Sequence, residues 1–135
     1  MPKRQASCAC GQLGIALEGP LLGTGLCHCL ACQRRTGSVF AALAAFAPPY
    51  VVTGEARDYV RTGKRGSRAR FRFCPVCGTN LFHTEEGGEE TMVLVAVGAF
   101  ADPSFPPPQD SVYDCRRHPW LRLPDGIAVF ERDPD

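Results

Sequence analysis

Apolar and polar residues alternate with a period of two along several short stretches of this chain. Leu13, Ile15 and Leu17 are apolar and their neighbours small or polar, the pattern of a half-buried strand. Arg68, Arg70 and Arg72 alternate with Ala69, Phe71 and Phe73, which predicts a strand delivering the chain to Cys74. Tyr50–Thr53 is β-branched and follows a Pro48-Pro49 break. Residues 92–97 are a continuous apolar run, predicting a strand buried on both faces, and 127–130 predicts a short closing strand. Gly19-Pro20, Pro48-Pro49, Gly87-Gly88 and the proline-rich stretch 103–108 read as turns and loops. No long stretch has a 3.6-residue apolar period. Residues 29–36 suit one or two helical turns, and 39–46 is ambiguous between helix and strand. The expectation is a mostly β, single-domain fold.

Composition narrows the classes of function. The 135 residues are 44% hydrophobic and 21% charged, the balance of an ordinary globular domain. A formal net charge of +1 argues against nucleic acid or an anionic membrane as partner. The longest apolar candidate, 39–47, is about nine residues against the ~20 that span a bilayer. The polar stretch 1–7 carries no apolar signal-peptide core, so a cytoplasmic location is expected.

That location bears on the eight cysteines. In a reducing compartment, clustered cysteines bind metal or do chemistry more often than they form disulfides. Seven fall into three groups, Cys8-x-Cys10, Cys27-x-Cys29-x-x-Cys32 and Cys74-x-x-Cys77; Cys115 stands alone. Zinc takes four ligands in a structural site and three plus an open position in a catalytic one, so seven thiols divide into four and three. The first and third groups are each followed by glycine, Gly11 and Gly78, where a positive φ lets backbone N–H groups point at sulfur. The middle group continues into Gln33-Arg34-Arg35 and lacks that glycine. Cys8, Cys10, Cys74 and Cys77 are therefore read as a structural zinc site, with Cys8 and Cys10 expected on an extended strand that turns both side chains to one face. Buried free thiols, a disulfide framework and another thiolate-bound metal are the alternatives.

Cys27, Cys29 and Cys32 remain as an under-coordinated set. His28 lies between two of them and, in an extended segment, would point to the opposite face. Three thiolates weaken zinc as a Lewis acid toward water and suit it to a soft exogenous ligand such as a thiol. A second structural zinc, or free thiols, is the plainer reading of the same residues. Arg34 and Arg35 would either clamp a substrate carboxylate or lie on a solvated surface. Arg61, Lys64, Arg65, Arg68, Arg70 and Arg72 read as outer-face strand positions and a turn, His83 and His118 as structural, and Trp120 as core or pocket wall.

Taken in order, these motifs resemble a known family. Cys8-x-Cys10-Gly11, Cys27-His28-Cys29-x-x-Cys32 with Arg35-Thr36-Gly37-Ser38, and Phe73-Cys74-x-x-Cys77-Gly78-Thr79-x-Leu81-Phe82 resemble the glutathione-dependent formaldehyde-activating enzymes. Trp120-x-x-Leu123-Pro124-Asp125-Gly126 with Phe130-Glu131 is similar to that family's C-terminal signature. The likeness spans roughly residues 5–131. It implies an Mss4-like zinc-containing β-sheet fold, a structural zinc on the first and third cysteine groups, and a catalytic zinc on Cys27, Cys29 and Cys32. The implied activity is that of a carbon–sulfur lyase joining a thiol such as glutathione to formaldehyde or a related electrophile. Two other readings stand beside it. One is a non-catalytic zinc-binding interaction module. The other is a methionine sulfoxide reductase-like redox enzyme with Cys115 as nucleophile.

Overall fold

Pairing between strands decides which apolar stretches become which elements. A computed structural model describes residues 3–63, 66–86 and 92–132. Eleven strands are assigned there: β1 Arg4–Ser7, β2 Gly14–Leu17, β3 Leu21–Cys27, β4 Ala41–Phe46, β5 Tyr50–Thr53, β6 Arg57–Thr62, β7 Arg68–Phe73, β8 Asn80–Glu86, β9 Val93–Ala96, β10 Asp110–Val112 and β11 Ala128–Val129. One helix, α1 Leu30–Thr36, follows β3, and short 3-10 turns cover Val97–Phe100 and Asp114–Arg116. The expected turn at Gly87-Gly88, and Lys64 and Arg65, lie outside the described residues. No helix among the described residues is long and apolar enough to cross a membrane.

The strands form two sheets. The smaller has the order β1-β2-β5, all antiparallel. The larger has the order β11-β10-β3-β4-β9-β8-β7-β6, antiparallel except where β10 runs parallel to β3 and β11. One core joins them. Ala6, Leu13, Ile15 and Leu17 from the small-sheet side meet Ala44, Phe46, Leu81, Val93 and Val95 from the large sheet. Fully burying an aliphatic or aromatic side chain of this kind contributes roughly 1.5–3 kcal/mol. Cys8 and Cys74 belong to the same cluster, so the core reaches the cysteines directly.

Several expectations take a different form here. Alanine-rich 39–46, open to helix by propensity, becomes β4 because β3 and β9 hydrogen-bond to its two edges. The run 92–97 ends as a strand at Ala96, where the 3-10 turn begins. Val93 and Val95 are buried while Leu94 and Ala96 are only half-buried, so one face carries the burial. Trp120 is 67% exposed and does not belong to the core. Its indole meets the His118 ring edge-on at 5.9 Å between centroids. The 127–130 stretch contributes only the two-residue, exposed β11.

Candidate metal centres

Two turns bring the first cluster together. Cys8 and Cys10 lie in the tight connection between β1 and β2, with Gly11 N–H donating to Cys8 carbonyl at 3.0 Å. This corrects the expectation of an extended strand: the chain reverses here so that β2 can pair back on β1. Cys74 and Cys77 lie in the matching turn between β7 and β8, closed by Gly78 N–H to Cys74 carbonyl at 2.8 Å. Gly11 and Gly78 have φ of 86° and 78°, conformations that residues with a Cβ rarely adopt. The tightness pays out as N–H groups aimed at sulfur: Leu13 N–H reaches Cys8 Sγ at 3.3 Å, and Val76 and Cys77 N–H reach Cys74 Sγ at 3.4 and 3.5 Å.

The sulfurs fit a metal shell. All four lie within 4.8 Å of one another. Cys8–Cys10 and Cys10–Cys74 are 3.6 and 3.7 Å apart. A tetrahedral ion with bonds of about 2.3 Å requires sulfur–sulfur separations of about 3.8 Å. All eight cysteines are free thiols. Electrostatics point the same way, since four adjacent thiols cannot all ionise without a cation. Hydrogen bonding from Thr79 draws Cys77 down to about 5. At Cys10, a lowering bond from Gln12 is outweighed by burial and the neighbouring thiols, which push it up to about 11.

Gln12, which the sequence reading passed over, braces this cluster. Its side-chain amide donates to Cys74 Sγ at 3.0 Å and to Glu55 carbonyl at 2.7 Å, and its Oε1 accepts from Glu55 N–H at 2.9 Å. No spacing rule would have linked a glutamine to a cysteine 62 positions away; only the folded arrangement shows it.

The second cluster is built where β3 ends and α1 begins. Cys27 is the last residue of β3, Cys29 caps α1, and Cys32 is buried in the first turn of that helix. Cys29 Sγ accepts from Cys32 N–H at 3.3 Å, so a ligand-type atom doubles as the helix cap. These three sulfurs also lie within 4.8 Å of one another. His28 stays out of the cluster. It is fully buried, its Nε2 lies 2.8 Å from Ser111 Oγ on β10, and burial pushes its pKa down. Cys32 is held far below the usual thiol range by hydrogen bonds from Cys27 and Cys29, with the Arg35 guanidinium adding to the effect. Cys27 is pushed up by its hydrogen bonds with Cys29 and Cys32 and by burial. A triad sharing its protons this way is ready to give them up to a cation.

Arg34 and Arg35 continue α1 and line a cavity of about 590 Å³ together with Tyr59, Arg61 and Asn80. The Arg35 guanidinium sits 4.5 Å from the Phe71 ring centroid. The rest of the basic run divides. Arg70 pairs with Asp58 at 2.6 Å and with Glu86, and Arg72 pairs with Asp58 at 3.0 Å, as expected for outer strand positions. Arg61 instead turns to the cavity and stacks on Phe71. Cys115 is exposed in the 3-10 turn Asp114–Arg116 and belongs to neither cluster. Gln33 ties the C-terminal segment to the triad, donating to the His28 and Arg116 carbonyls at 2.8 and 3.2 Å and meeting His118 Nε2 through Oε1 at 3.0 Å.

His83, buried on β8 with its ring 4.5 Å from Phe71, makes a pH prediction. Burial first, and Arg35 second, lower its pKa to about 4 from 6.5. The unfolded chain therefore binds a proton between those values that the folded chain refuses, and stability falls as pH drops through that window. Between pH 7 and pH 5 the loss attributable to this residue is roughly 2 kcal/mol. Urea unfolding of the native chain and His83→Phe at both pH values isolates it, because acid sensitivity of the thiol clusters is common to both proteins. Equal pH slopes for the two would refute the assignment.

A mostly β scaffold carrying two separate thiol clusters, each able to hold a metal ion, defines a small protein of the Mss4-like fold class. Residues 3–116 match the glutathione-dependent formaldehyde-activating enzyme family, and the chain belongs to that family. A crystal structure of a Rhodobacter sphaeroides protein is similar, with a TM-score of 0.54 at 23% identity, covering 93% of this chain and 98% of that one. At that identity the likeness speaks to the fold. Among curated proteins none matches the chain.

Proposed function

We propose that this chain is a zinc-dependent carbon–sulfur lyase that joins a thiol such as glutathione to formaldehyde or a related electrophile and cleaves the same bond in reverse. The observation that carries the reading is the three-sulfur cluster of Cys27, Cys29 and Cys32, with no fourth ligand among the described residues and an arginine-lined cavity beside it. In this reading Cys8, Cys10, Cys74 and Cys77 hold a structural zinc. A second zinc on Cys27, Cys29 and Cys32 supplies, when bound, a fourth position suited to a soft sulfur ligand. Arg35, next to Cys32, offsets the negative charge of three thiolates, and Arg34 stands one residue before it to take a substrate carboxylate. The sulfur–carbon bond forms as the carbonyl opens, and the thiol's proton ends on the new hydroxyl. The domain spans residues 5–131 and works in the cytoplasm on small molecules, without nucleic acid or membrane.

Metal analysis with and without glutathione, alongside carbon-13 detection of the thiol–formaldehyde adduct, tests this. Two zinc ions per chain and adduct formation above the uncatalysed rate are expected. One zinc per chain and no rate enhancement would overturn it, leaving at most the structural site.

A further inference from the structure

Phe71 is the centre of an unusual arrangement of charge. Arg35 from α1 and Arg61 from β6 both stand on its ring, with guanidinium carbons 4.5 and 4.9 Å from the centroid. Two like charges on one ring repel each other unless something between them is negative. Arg34 adds a third cation to the same cavity. Elsewhere the arginines that come together are matched: Arg70 and Arg72 share Asp58, and Arg117 holds Asp114. Among the described residues, Arg34, Arg35 and Arg61 have no carboxylate partner, and no acidic residue lines the cavity. Nε and Nη2 of Arg35 are buried without any hydrogen-bond acceptor. Behind the ring, burial and these same arginines hold His83 uncharged, so no further cation adds to the repulsion.

The charges can be apportioned. A triad of three thiolates with a divalent ion carries a net charge of −1, which the adjacent Arg35 balances. Arg34 and Arg61, which both line the cavity of about 590 Å³, are then left unmatched. Guanidinium groups recognise carboxylates and phosphates through paired N–H donors. A ligand ammonium would find no carboxylate here.

We propose that the cavity is a dianion site, and that the thiol this protein prefers carries two negative charges at its far end, as two carboxylates or a phosphate ester. The ligand's thiol rests on the lyase reading; its charge rests on the cavity. Arg61, outside the helix that carries the triad, is a specificity-determining residue for it.

Calorimetric titration of the zinc-loaded full chain with succinate and with inorganic phosphate reads the site without any reaction. Saturable binding of at least one is expected, and the tighter of the two names the source of the dianion. Arg61→Gln should weaken that binding about tenfold or more, while Arg61→Lys, which keeps the charge but loses the paired donors, should weaken it less. Circular dichroism and zinc content verify that both variants are folded. In adduct formation with formaldehyde, mercaptosuccinate should show a lower KM than glutathione. Absence of binding by both dianions, native affinity in a folded R61Q, or a lower KM for glutathione would each overturn the inference. If succinate binds and no thiol forms an adduct, the lyase reading fails and the dianion site stands. If glutathione reacts and neither dianion binds, the reverse holds.

Discussion

Cys74→Ser is expected to leave the chain without its native fold. Cys74 is fully buried, belongs to the central apolar cluster, and receives N–H groups from Val76 and Cys77 and the amide of Gln12. Serine keeps the connectivity but is smaller and a poor ligand for a soft metal shell. Structural zinc binding contributes on the order of 10–16 kcal/mol in small zinc domains, as much as the entire stability of a typical protein, about 5–15 kcal/mol. Removing one of four ligands also leaves the remaining thiols crowded at separations such as the 3.6 Å between Cys8 and Cys10. The expected result is loss of soluble protein, or a featureless near-ultraviolet spectrum, with no cooperative melting. Strong chelation of the native chain should do the same. A soluble C74S chain melting at the native temperature would show that the sheets hold together without this cluster.

Cys29→Ser should have the opposite profile, with the fold kept and the reaction lost. Serine is among the best helix N-caps, so it can accept from Cys32 N–H as Cys29 now does. What it removes is one of three sulfurs. We expect one zinc ion fewer per chain, a melting temperature within a few degrees of native, and a fall in adduct formation on the order of 1,000-fold. Such a fall corresponds to the several kcal/mol that a Lewis acid contributes. If the zinc is lost and the rate persists, the triad is not where the bond is made.

The cysteine partition was legible because it rests on local chemistry: a glycine after each outer pair, none after the middle one. Strand β7 was legible for a similar reason, its arginines and phenylalanines keeping strict alternation. Strand β3 was not. Its sequence, Leu-Leu-Gly-Thr-Gly-Leu-Cys, carries two glycines and no alternation of apolar and polar residues. A Cβ at Gly23 would come 2.8 Å from Gln109 Oε1, and one at Gly25 would strike the Asp110 carboxylate. Both glycines record the close approach of a segment more than 80 residues away, which no local pattern announces. Strand β6 was missed because it lies at the edge of its sheet and is largely exposed, so it needs no apolar alternation. Arg61, read from the sequence as an outer-face position, turns to the cavity instead. Its place in the cavity follows from the register that sets Tyr59 opposite Phe71 and Arg61 opposite Ala69.

The burial of His28 has a kinetic consequence. Its ring anchors the Cys27–Cys29 backbone from behind, bonded to Ser111 on β10, while β3 is paired on both edges by β4 and β10. The triad is thus held by secondary structure and does not depend on an ion to gather it. The four-cysteine cluster, by contrast, joins two turns whose approach is part of the core itself. An ion at the triad should therefore come and go while the chain stays folded, whereas loss of one from the four-cysteine cluster strains the turns that the core holds together.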